Sequence, residues 1–257
     1  AGYMARRLSG LPYVVLVHGN DLLSEKRRWG RTFIGAALKN AKFVGVNSEF
    51  VERLVHGFGV PYSRIIRTHP FIRQQDILRQ TVHHEGQRLI TVSRLVPRKN
   101  IGNIIEAVNI LRNKYPNVQL DIVGDGSERT KLENIVHERG LSDAVIFRGA
   151  VNNETKNHLL QQANVFVMAP TILDGGTDVE GLGLVYLEAA TYGLPIVASG
   201  TGGVRDAVIH EITGLLVDPK QPDSIAGGIA KLLSNPALAQ QYGQAGKELV
   251  EKEFTDT

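Results

Sequence analysis

Short apolar runs alternate with amphipathic segments of helical length along most of this chain. Each run has four to six residues, which is the length of a buried strand rather than of a helix. The runs lie at 12–17, 43–46, 64–68, 89–93, 118–123, 144–148, 165–168, 196–199 and 214–219. Strands that alternate with helices in this way indicate an α/β protein built from doubly wound parallel sheets.

A polar segment divides these elements into two groups. Residues 73–86 read RQQDILRQTVHHEG and show little apolar periodicity, which predicts a linker that contains a frayed helix. We therefore predict an N-terminal domain over 1–72 and a C-terminal domain over 87–257. A chain of 257 residues is long enough for two small domains with separate cores.

Caps and periodicity predict several details of these elements. The strand at 12–17 is predicted to be buried. The helix at 24–40 is predicted to have an apolar side made of Trp29, Phe33, Ala36, Ala37 and Leu38. Ser48 is predicted to cap the next helix. Later helices are predicted at 101–114, 152–163, 184–192, 221–234 and 236–253.

Composition excludes several classes of protein. The chain has no cysteine, so it has no disulfide framework and no thiolate chemistry, which favours the reducing cytoplasm. No apolar run reaches the roughly 18 residues that a membrane-spanning helix needs. The proportions of hydrophobic and charged residues, 42% and 21%, are those of an ordinary globular protein.

Basic residues are concentrated in the first third of the chain. Residues 1–79 contain 13 lysines and arginines against 5 aspartates and glutamates, a difference of +8, which leaves −5 for the rest of the total of +3. The surplus is either a set of solvated helix faces or a surface for anionic lipid or an anionic acceptor at a membrane. The basic and aromatic group that favours the second reading comprises Lys26, Arg27, Arg28, Trp29, Arg31 and Phe33. No recognition motif accompanies the charge, so nucleic acid is disfavoured as a partner.

The stretch over 170–203 places two carboxylates around the start of a short helix. Because glycine is a poor residue for a helix interior, Gly181 and Gly183 put Glu180 in the preceding loop and Glu188 in the second turn of the helix. The free amides of the first turn then lie between the carboxylates and favour an anion. A nucleotide-sugar, with hydroxyl groups at both ends and phosphates between them, fits this layout.

The same stretch carries a specific resemblance. The sequence EGLGLVYLEA, with Glu180 and Glu188 at its two acidic positions, is followed by GLPIVAS and GTGG. It resembles the C-terminal half-site of retaining glycosyltransferases of the GT-B fold, family GT4, and the run DVEGLG is similar to the mannosyltransferase-like members. The resemblance implies two Rossmann-like domains, one for the acceptor and one for the nucleotide-sugar donor. Since such chains are longer at both ends, it also implies a truncated chain with an incomplete N-terminal sheet.

A second motif carries the resemblance into the C-terminal domain. The loop after the strand at 89–93 reads RLVPRKN and is similar to the phosphate loop of the family, in which an arginine and a lysine hold the diphosphate. Those residues map onto Arg94 and Lys99, and Arg98 is then expected to be solvated. The segment THPFI at 68–72 departs from the family's Pro-Asn-Gly-Val-Asp, which puts the hinge-side donor contact in doubt.

The resemblance implies a role for each remaining site residue. Glu180 would hold sugar hydroxyls, Glu188 the ribose diol, and the backbone at Val151 would lie against the base. His18 matches a histidine beside the reacting centre, with a simple strand-end histidine as the alternative. The amides that would face the diphosphate belong to Gly181, Leu182, Gly183 and Leu184.

Two other patterns favour structural readings. Gly124-x-Gly126 follows a strand, but the dinucleotide-binding fingerprint fails because position 129 is arginine. Asp125 or Ser127 is instead predicted to cap the next helix. Asp174 and Asp178 are interpreted as solvated loop carboxylates rather than as a metal pair, so no metal and no cofactor is expected.

The resemblance thus implies an enzyme that moves a sugar from a UDP- or GDP-linked donor to a hydroxyl acceptor, lipid-linked or anionic, with retention of anomeric configuration and without a metal. Two alternatives stay open. One is a catalytically silent fragment that binds a nucleotide-sugar, and the other is a GT-B-like epimerase that acts on the nucleotide-sugar itself. The base, the sugar and the acceptor are not determined by the sequence.

Overall fold

The computed structural model describes residues 2–23, 28–73, 86–173 and 178–255. The chain forms two compact units. Unit 1 consists of Ala1–Pro70, Ile172–Gly183 and Thr201–Asp206, and unit 2 of Phe71–Thr171, Leu184–Gly200 and Ala207–Thr257. The predicted linker falls largely on residues 74–85, which lie outside the described residues, so the division of the chain at that linker stays a prediction.

Unit 1 contains a parallel three-stranded sheet in the order β1-β2-β3. Its strands are β1 (Val14–Val17), β2 (Phe43–Val46) and β3 (Ile65–Arg67). Its helices are α1 (Gly2–Ser9), α2 (Asn20–Leu23), α3 (Arg28–Asn40) and α4 (Glu49–Gly57). Helix α1 precedes every element that the sequence predicted. Residues 24–27 of the predicted 24–40 helix lie outside the described residues.

The core of unit 1 lies around the central strand. Val44 and Val46 of β2 are fully buried and pack with Leu38 and with Val51 and Val55 of α4. Ser48 caps α4 as predicted, because its side-chain oxygen accepts a hydrogen bond from the Val51 amide at 3.2 Å. The cap satisfies one of the amides that a helix start leaves without a partner in the helix.

Two predictions about burial in unit 1 are wrong. Strand β1 is at the edge of the sheet, and Leu16 on its outer face is 64% exposed, so only one face of this strand is buried. In α3, Trp29 is 89% exposed, whereas Leu38 is buried. A helix turns by about 100° per residue, so these two residues, nine positions apart, point in opposite directions. The apolar side predicted for this helix had combined residues of two faces.

Unit 2 contains a parallel six-stranded sheet in the order β6-β5-β4-β7-β8-β9. Its strands are β4 (Arg88–Val92), β5 (Gln119–Val123), β6 (Val145–Gly149), β7 (Val165–Met168), β8 (Ile196–Ser199) and β9 (Gly214–Val217). Its helices are α5 (Ile101–Leu111), α6 (Arg129–Glu138), α7 (Asn153–Gln162), α8 (Leu184–Thr191), α10 (Pro222–Leu233) and α11 (Pro236–Glu253), and a short helix α9 (Val204–Ala207) runs across the boundary of the two units in the chain. All the predicted strands are present, with ends that differ by at most two residues.

The core of unit 2 explains why its strands read as continuous apolar runs. Leu89 and Ile90 of β4 and Phe166 and Val167 of β7 are fully buried, so adjacent residues on opposite faces of the sheet are covered. This is the expected state of a parallel sheet with helices on both sides. No helix in the described parts of the chain is long and apolar enough to cross a membrane.

Candidate active site

The strand order of unit 2 creates a switch point between β4 and β7. The chain moves outward in one direction from β4 to β5 and β6, and in the other from β7 to β8 and β9. In open α/β sheets, ligands bind in the crevice beyond the carboxyl ends of the strands at such a point. The loop over 93–100 leaves β4 at this edge, and the loop that starts at Ala169 leaves β7 beside it.

The loop over 93–100 is supported by the loop that follows β5. The Leu95 amide donates to the Asp125 carbonyl at 2.9 Å, and a Cβ atom at Gly124 or Gly126 would overlap the backbone of Ser93 or Leu95. Gly124 also has a φ of +126°, which a residue with a side chain rarely adopts. The two glycines of the Gly-x-Gly pattern therefore allow two backbone segments to approach each other closely.

The predicted side-chain cap of α6 is wrong. The Asp125 carboxylate accepts from the Gly126 amide at 2.7 Å, and no side chain caps the helix. The Glu128 amide instead donates to the Leu95 carbonyl at 2.9 Å. Because the loop over 93–100 supplies this backbone acceptor, the start of α6 does not depend on the side chain of Asp125 or Ser127.

Three basic residues of the loop over 93–100 have unlike surroundings. Arg94 is exposed, whereas Lys99 is only 8% exposed and its Nζ lies 3.7 Å from the sulfur of Met168 at the end of β7. Arg98 was expected to be solvated, but it is 5% exposed. The Thr171 amide donates to the Arg98 carbonyl at 2.9 Å, so this part of the loop packs against the chain that leaves β7.

Asn100 has a structural part in this loop that sequence reasoning missed. Its backbone is left-handed, with a φ of +58°, and its side-chain amide donates to the carbonyls of Ala169 at 3.0 Å and Pro219 at 2.7 Å. These bonds connect the residue after Lys99 to the chain beyond β7 and β9. The available signal was an asparagine at a helix start, since asparagine adopts this conformation more readily than most residues.

Helix α8 contacts the same strand end as Lys99. The Tyr186 hydroxyl donates to the Met168 carbonyl at 2.8 Å, and its ring packs edge-on against Phe166. Met168 therefore contacts both Lys99 and α8. Glu188 lies in the second turn of α8, as predicted, and Glu180 lies in the loop before the helix.

Glu188 has a partner that sequence reasoning also missed. Lys156 of α7 donates from Nζ to Glu188 Oε2 at 2.7 Å, and both side chains line a cavity of about 390 Å³. The two residues are 32 positions apart, and no local pattern relates them. Val151 is half-buried in the turn before α7, whose start is capped by Asn152.

His18, Glu180 and the glycines at 181 and 183 lie in unit 1. His18 follows β1, its side chain is exposed, and its amide donates to the Asp21 carboxylate at 2.9 Å. A Cβ atom at Gly181 would overlap the His18 carbonyl, so this glycine permits close contact between the two backbones. The Glu180 carbonyl accepts from the Gly203 amide at 2.9 Å. The loop that carries Glu180 therefore passes directly beside the backbone of His18.

The structure assembles the predicted residues as two groups. Around Gly181 in unit 1 lie His18, Glu180, Leu182 and Gly183, with the Leu182 side chain buried. On unit 2 lie Arg94, Lys99, Val151, Leu184 and Glu188. The chemical roles of all these residues stay predictions.

One half-buried carboxylate, that of Asp206, links segments of unit 1. Asp206 Oδ2 accepts from the Glu49 amide, the first of α4, at 2.5 Å. Burial raises the pKa of Asp206 above its ordinary value of 3.8, against the opposing effects of the Glu49 amide and of Arg67. Arg67 itself pairs with Glu52 of α4.

The described residues contain no group of three or more histidine, cysteine, aspartate or glutamate side chains arranged to hold a metal ion. Asp174, one of the two loop carboxylates considered for a metal, lies outside the described residues. Metal independence stays a prediction.

Solved structures share this fold over nearly the whole chain. The sucrose-phosphate synthase of Thermosynechococcus elongatus aligns with 99% of the chain and 66% of its own length, at a TM-score of 0.85 and 25% identity. HepE of Anabaena, in complex with UDP and glucose, aligns with 99% of the chain and 71% of its own length, at a TM-score of 0.83 and 20% identity. The fold is of the GT-B type with two parallel sheets, which confirms the predicted class.

Residues 73–249 match the family described as glycosyl transferases group 1, and the chain belongs to that family. The GDP-mannose-dependent alpha-(1-6)-phosphatidylinositol monomannoside mannosyltransferase of Mycobacterium tuberculosis is 38% identical over 168 residues, which cover 65% of this chain and 43% of the relative. The amylovoran biosynthesis glycosyltransferase AmsK of Erwinia amylovora is 26% identical over 268 residues, which cover 99% of this chain and 64% of the relative. The chain thus spans less than two thirds of the length of either relative.

Proposed function

We propose that this protein transfers a sugar from a nucleoside diphosphate-sugar to a hydroxyl acceptor, with retention of anomeric configuration, as a GT4-like enzyme. The observation that carries the proposal is the position of Lys99. It is a buried cation at the switch point of the unit 2 sheet, and it shares Met168 with the helix that carries Glu188. Membership of the group 1 family supports the same conclusion.

The physical demand of the reaction is the departure of a diphosphate. Negative charge grows on the leaving group as its bond to the sugar breaks, so catalysis needs cations and amides fixed in advance around it. A cation away from bulk water attracts such charge more strongly than a solvated one, because the effective dielectric constant is lower. Lys99 meets this requirement. Arg94, in the same loop after β4, supplies a second cation that solvent can reach.

The remaining roles follow the layout of the ligand. Glu188 accepts hydrogen bonds from the ribose diol, and the backbone at Val151 lies against the base. Glu180 holds sugar hydroxyls, His18 lies at the reacting centre, and the amides of 181–184 face the diphosphate. The acceptor hydroxyl attacks the anomeric carbon on the face from which the diphosphate leaves. The acceptor–carbon bond forms, the phosphate–carbon bond breaks, and the departing phosphate takes the hydroxyl proton.

The donor and acceptor classes follow from the relatives and from unit 1. The mannosyltransferase of M. tuberculosis is GDP-mannose-dependent by name, which makes GDP-mannose the first donor to test, with UDP-sugars next. The acceptor is a lipid-linked or anionic hydroxyl compound. The exposure of Trp29 and Phe33 of α3, and of Met4 and Leu8 of α1, supports contact of a cytoplasmic protein with a membrane surface. Lys26, Arg27 and the Arg28 side chain lie outside the described residues.

A thermal-shift screen across GDP- and UDP-sugars, followed by product analysis, tests the proposal. A bound donor stabilises the folded protein by mass action, so the true donor raises the melting temperature. We expect release of GDP or UDP together with a glycosylated acceptor. Donor binding without turnover would favour the silent fragment, an isomerised nucleotide-sugar would favour the epimerase, and no shift with any donor would contradict nucleotide-sugar binding altogether.

A further inference from the structure

The ion pair between Lys156 and Glu188 connects two helices of unit 2 at the edge of a cavity. Lys156 is in the first turns of α7, Glu188 is in α8, and the Nζ–Oε2 distance is 2.7 Å. Their side chains are 19% and 33% exposed, so the pair is only partly hydrated. The cavity beside it has a volume of about 390 Å³ and is also lined by Arg73, Asn153 and Asn157.

The pair leaves the carboxylate able to bind a second group. A carboxylate offers about four acceptor positions on two oxygens, and one ammonium group does not occupy them all. A hydrogen bond between charged groups is short and directional, so Lys156 restricts the rotation of the Glu188 side chain. The Glu188 backbone is also tied down, because the Thr191 hydroxyl donates to its carbonyl at 2.7 Å. The carboxylate is therefore oriented before any ligand arrives.

Lys156 also connects the predicted base contact at Val151 with the predicted ribose contact at Glu188. Helix α7 starts at Asn153, directly after the turn that contains Val151, and Asn152 caps it through the Thr155 amide at 2.8 Å. Lys156 follows one turn into this helix. Helix α7 thus follows the predicted base contact at Val151, and its residue Lys156 fixes the carboxylate of Glu188, which is assigned to the ribose.

We propose that Lys156 is a positioning residue that holds the Glu188 carboxylate for the ribose hydroxyls, and that it thereby makes the site selective for ribonucleotides over 2′-deoxyribonucleotides. This inference rests on the proposed function, since it assumes a nucleoside diphosphate at unit 2. It adds a residue that does not touch the reacting atoms and acts through Glu188. Recognition consists of a hydrogen bond from a ribose hydroxyl to the Glu188 carboxylate, which Lys156 has already oriented.

Calorimetry with GDP, UDP and their 2′-deoxy counterparts tests the inference on the whole chain. For whichever base the wild type binds, we expect the deoxy compound to bind about 10- to 100-fold more weakly, the range for loss of one hydrogen bond to a charged group. Lys156→Met should weaken binding of the ribonucleotide more than that of the deoxyribonucleotide, which offers Glu188 only its 3′-hydroxyl, so that the ratio falls to about threefold or less. Lys156→Arg should restore most of the ratio, because it keeps the charge and the donor.

The controls separate a positioning role from a loss of folding. Lys231→Met removes another Lys–Glu pair, with Glu211 at 3.0 Å, from an exposed part of unit 2, and we expect it to leave the ratio unchanged. If Lys156→Met lowered the affinity for both nucleotides by the same factor, the role of Lys156 would be structural and the inference would be overturned. Any other result that left the ratio unchanged would overturn it as well. Equal affinities in the wild type would also overturn it while leaving the proposed function intact. Absence of any nucleotide binding would instead overturn the proposed function.

Discussion

Two basic residues in the loop after β4 of unit 2 differ sharply in burial. Arg94 and Lys99 follow β4 within six positions of each other, yet Arg94 is exposed and Lys99 is enclosed beside Met168. Burial decides how much each cation is worth to an anionic ligand, since solvent screens the exposed one more effectively. The enclosed lysine is therefore the residue on which the proposed chemistry depends most.

Lys99→Ala and Arg94→Ala test this difference in activity. Each substitution should lower turnover by about 10²-fold or more, the scale for loss of a charge-stabilising donor, with the larger effect at Lys99. Steady-state kinetics with the donor found by the screen measures it. Lys220→Ala, an exposed lysine of unit 2, is the matched control and should leave turnover unchanged. Full activity in both site variants would remove the diphosphate role.

Asn100 allows a test of backbone strain against side-chain bonding. Asn100→Gly loses the bonds to the Ala169 and Pro219 carbonyls but tolerates the φ of +58°. Asn100→Ala loses the same bonds and is also strained, by about 1–2 kcal/mol in this conformation. Urea unfolding should therefore rank the free energies of unfolding as wild type, then Asn100→Gly, then Asn100→Ala. Equal values for the two variants would show that the left-handed backbone costs nothing here.

Among the elements, α4 shows how separate segments are joined within unit 1. Ser48 caps it from the adjacent chain, and Asp206 accepts its first amide from a segment more than 150 positions away. Next to this contact, a Cβ atom at Gly203 would overlap the Gly181 carbonyl, and the Gly203 amide bonds the Glu180 carbonyl. The start of α4 thus supports the loop that carries Glu180.

The raised pKa of Asp206 gives a prediction for stability against pH. Burial favours the protonated form in the folded state, so the folded protein binds more protons than the unfolded chain as pH rises from 3.8 towards the raised pKa. The contribution of Asp206 to the free energy of unfolding therefore decreases as pH rises through that window. Asp206→Asn keeps an acceptor for the Glu49 amide but has no ionisation.

Urea unfolding of the wild type and of Asp206→Asn, followed by circular dichroism between about pH 3 and 7, measures this effect. Relative to the wild type, the variant should gain stability as pH rises through the window. Asp218→Asn, an exposed aspartate of unit 2, serves as the control. A difference between Asp206→Asn and wild type that does not change with pH would contradict the raised pKa.

At the scale of the whole molecule, charge and exposed apolar groups coincide in the N-terminal part. Residues 1–79 carry a formal charge of +8, and α1 and α3 expose Met4, Leu8, Trp29 and Phe33. The Tyr3 and Phe33 rings lie 5.7 Å apart, so the two helices pack side by side. The proposed membrane contact rests on this combination, because anionic lipid attracts basic segments and the interface accommodates exposed aromatic groups.

Sedimentation with lipid vesicles tests membrane contact. The protein should bind vesicles that contain anionic lipid, bind neutral vesicles weakly, and dissociate as salt increases because screening shortens the range of the attraction. Trp29→Ala should lower binding several-fold, since it removes a large exposed apolar group. Ile212→Ala, which removes an exposed apolar side chain of unit 2, should have no effect. Equal binding to neutral and anionic vesicles would contradict the electrostatic part of the proposal.

The sequence by itself determined the elements of this protein and their class. Periodicity over a few residues reports the local backbone, which is why the strands at 43–46, 165–168 and 196–199 and the cap at Ser48 were predicted correctly. The same local signal does not say which of two faces a helix buries, and the prediction for Trp29 was wrong for that reason.

Only the tertiary structure decided which distant residues meet. The pairing of Lys156 with Glu188, the burial of Arg98 and the shared contact of Lys99 and Tyr186 with Met168 all depend on the strand order β4-β7 and on the loops packed at its edge. Such contacts join segments that are tens of residues apart, and no local pattern encodes them. Their energy comes from burial and hydrogen bonds that exist only once the sheet has formed.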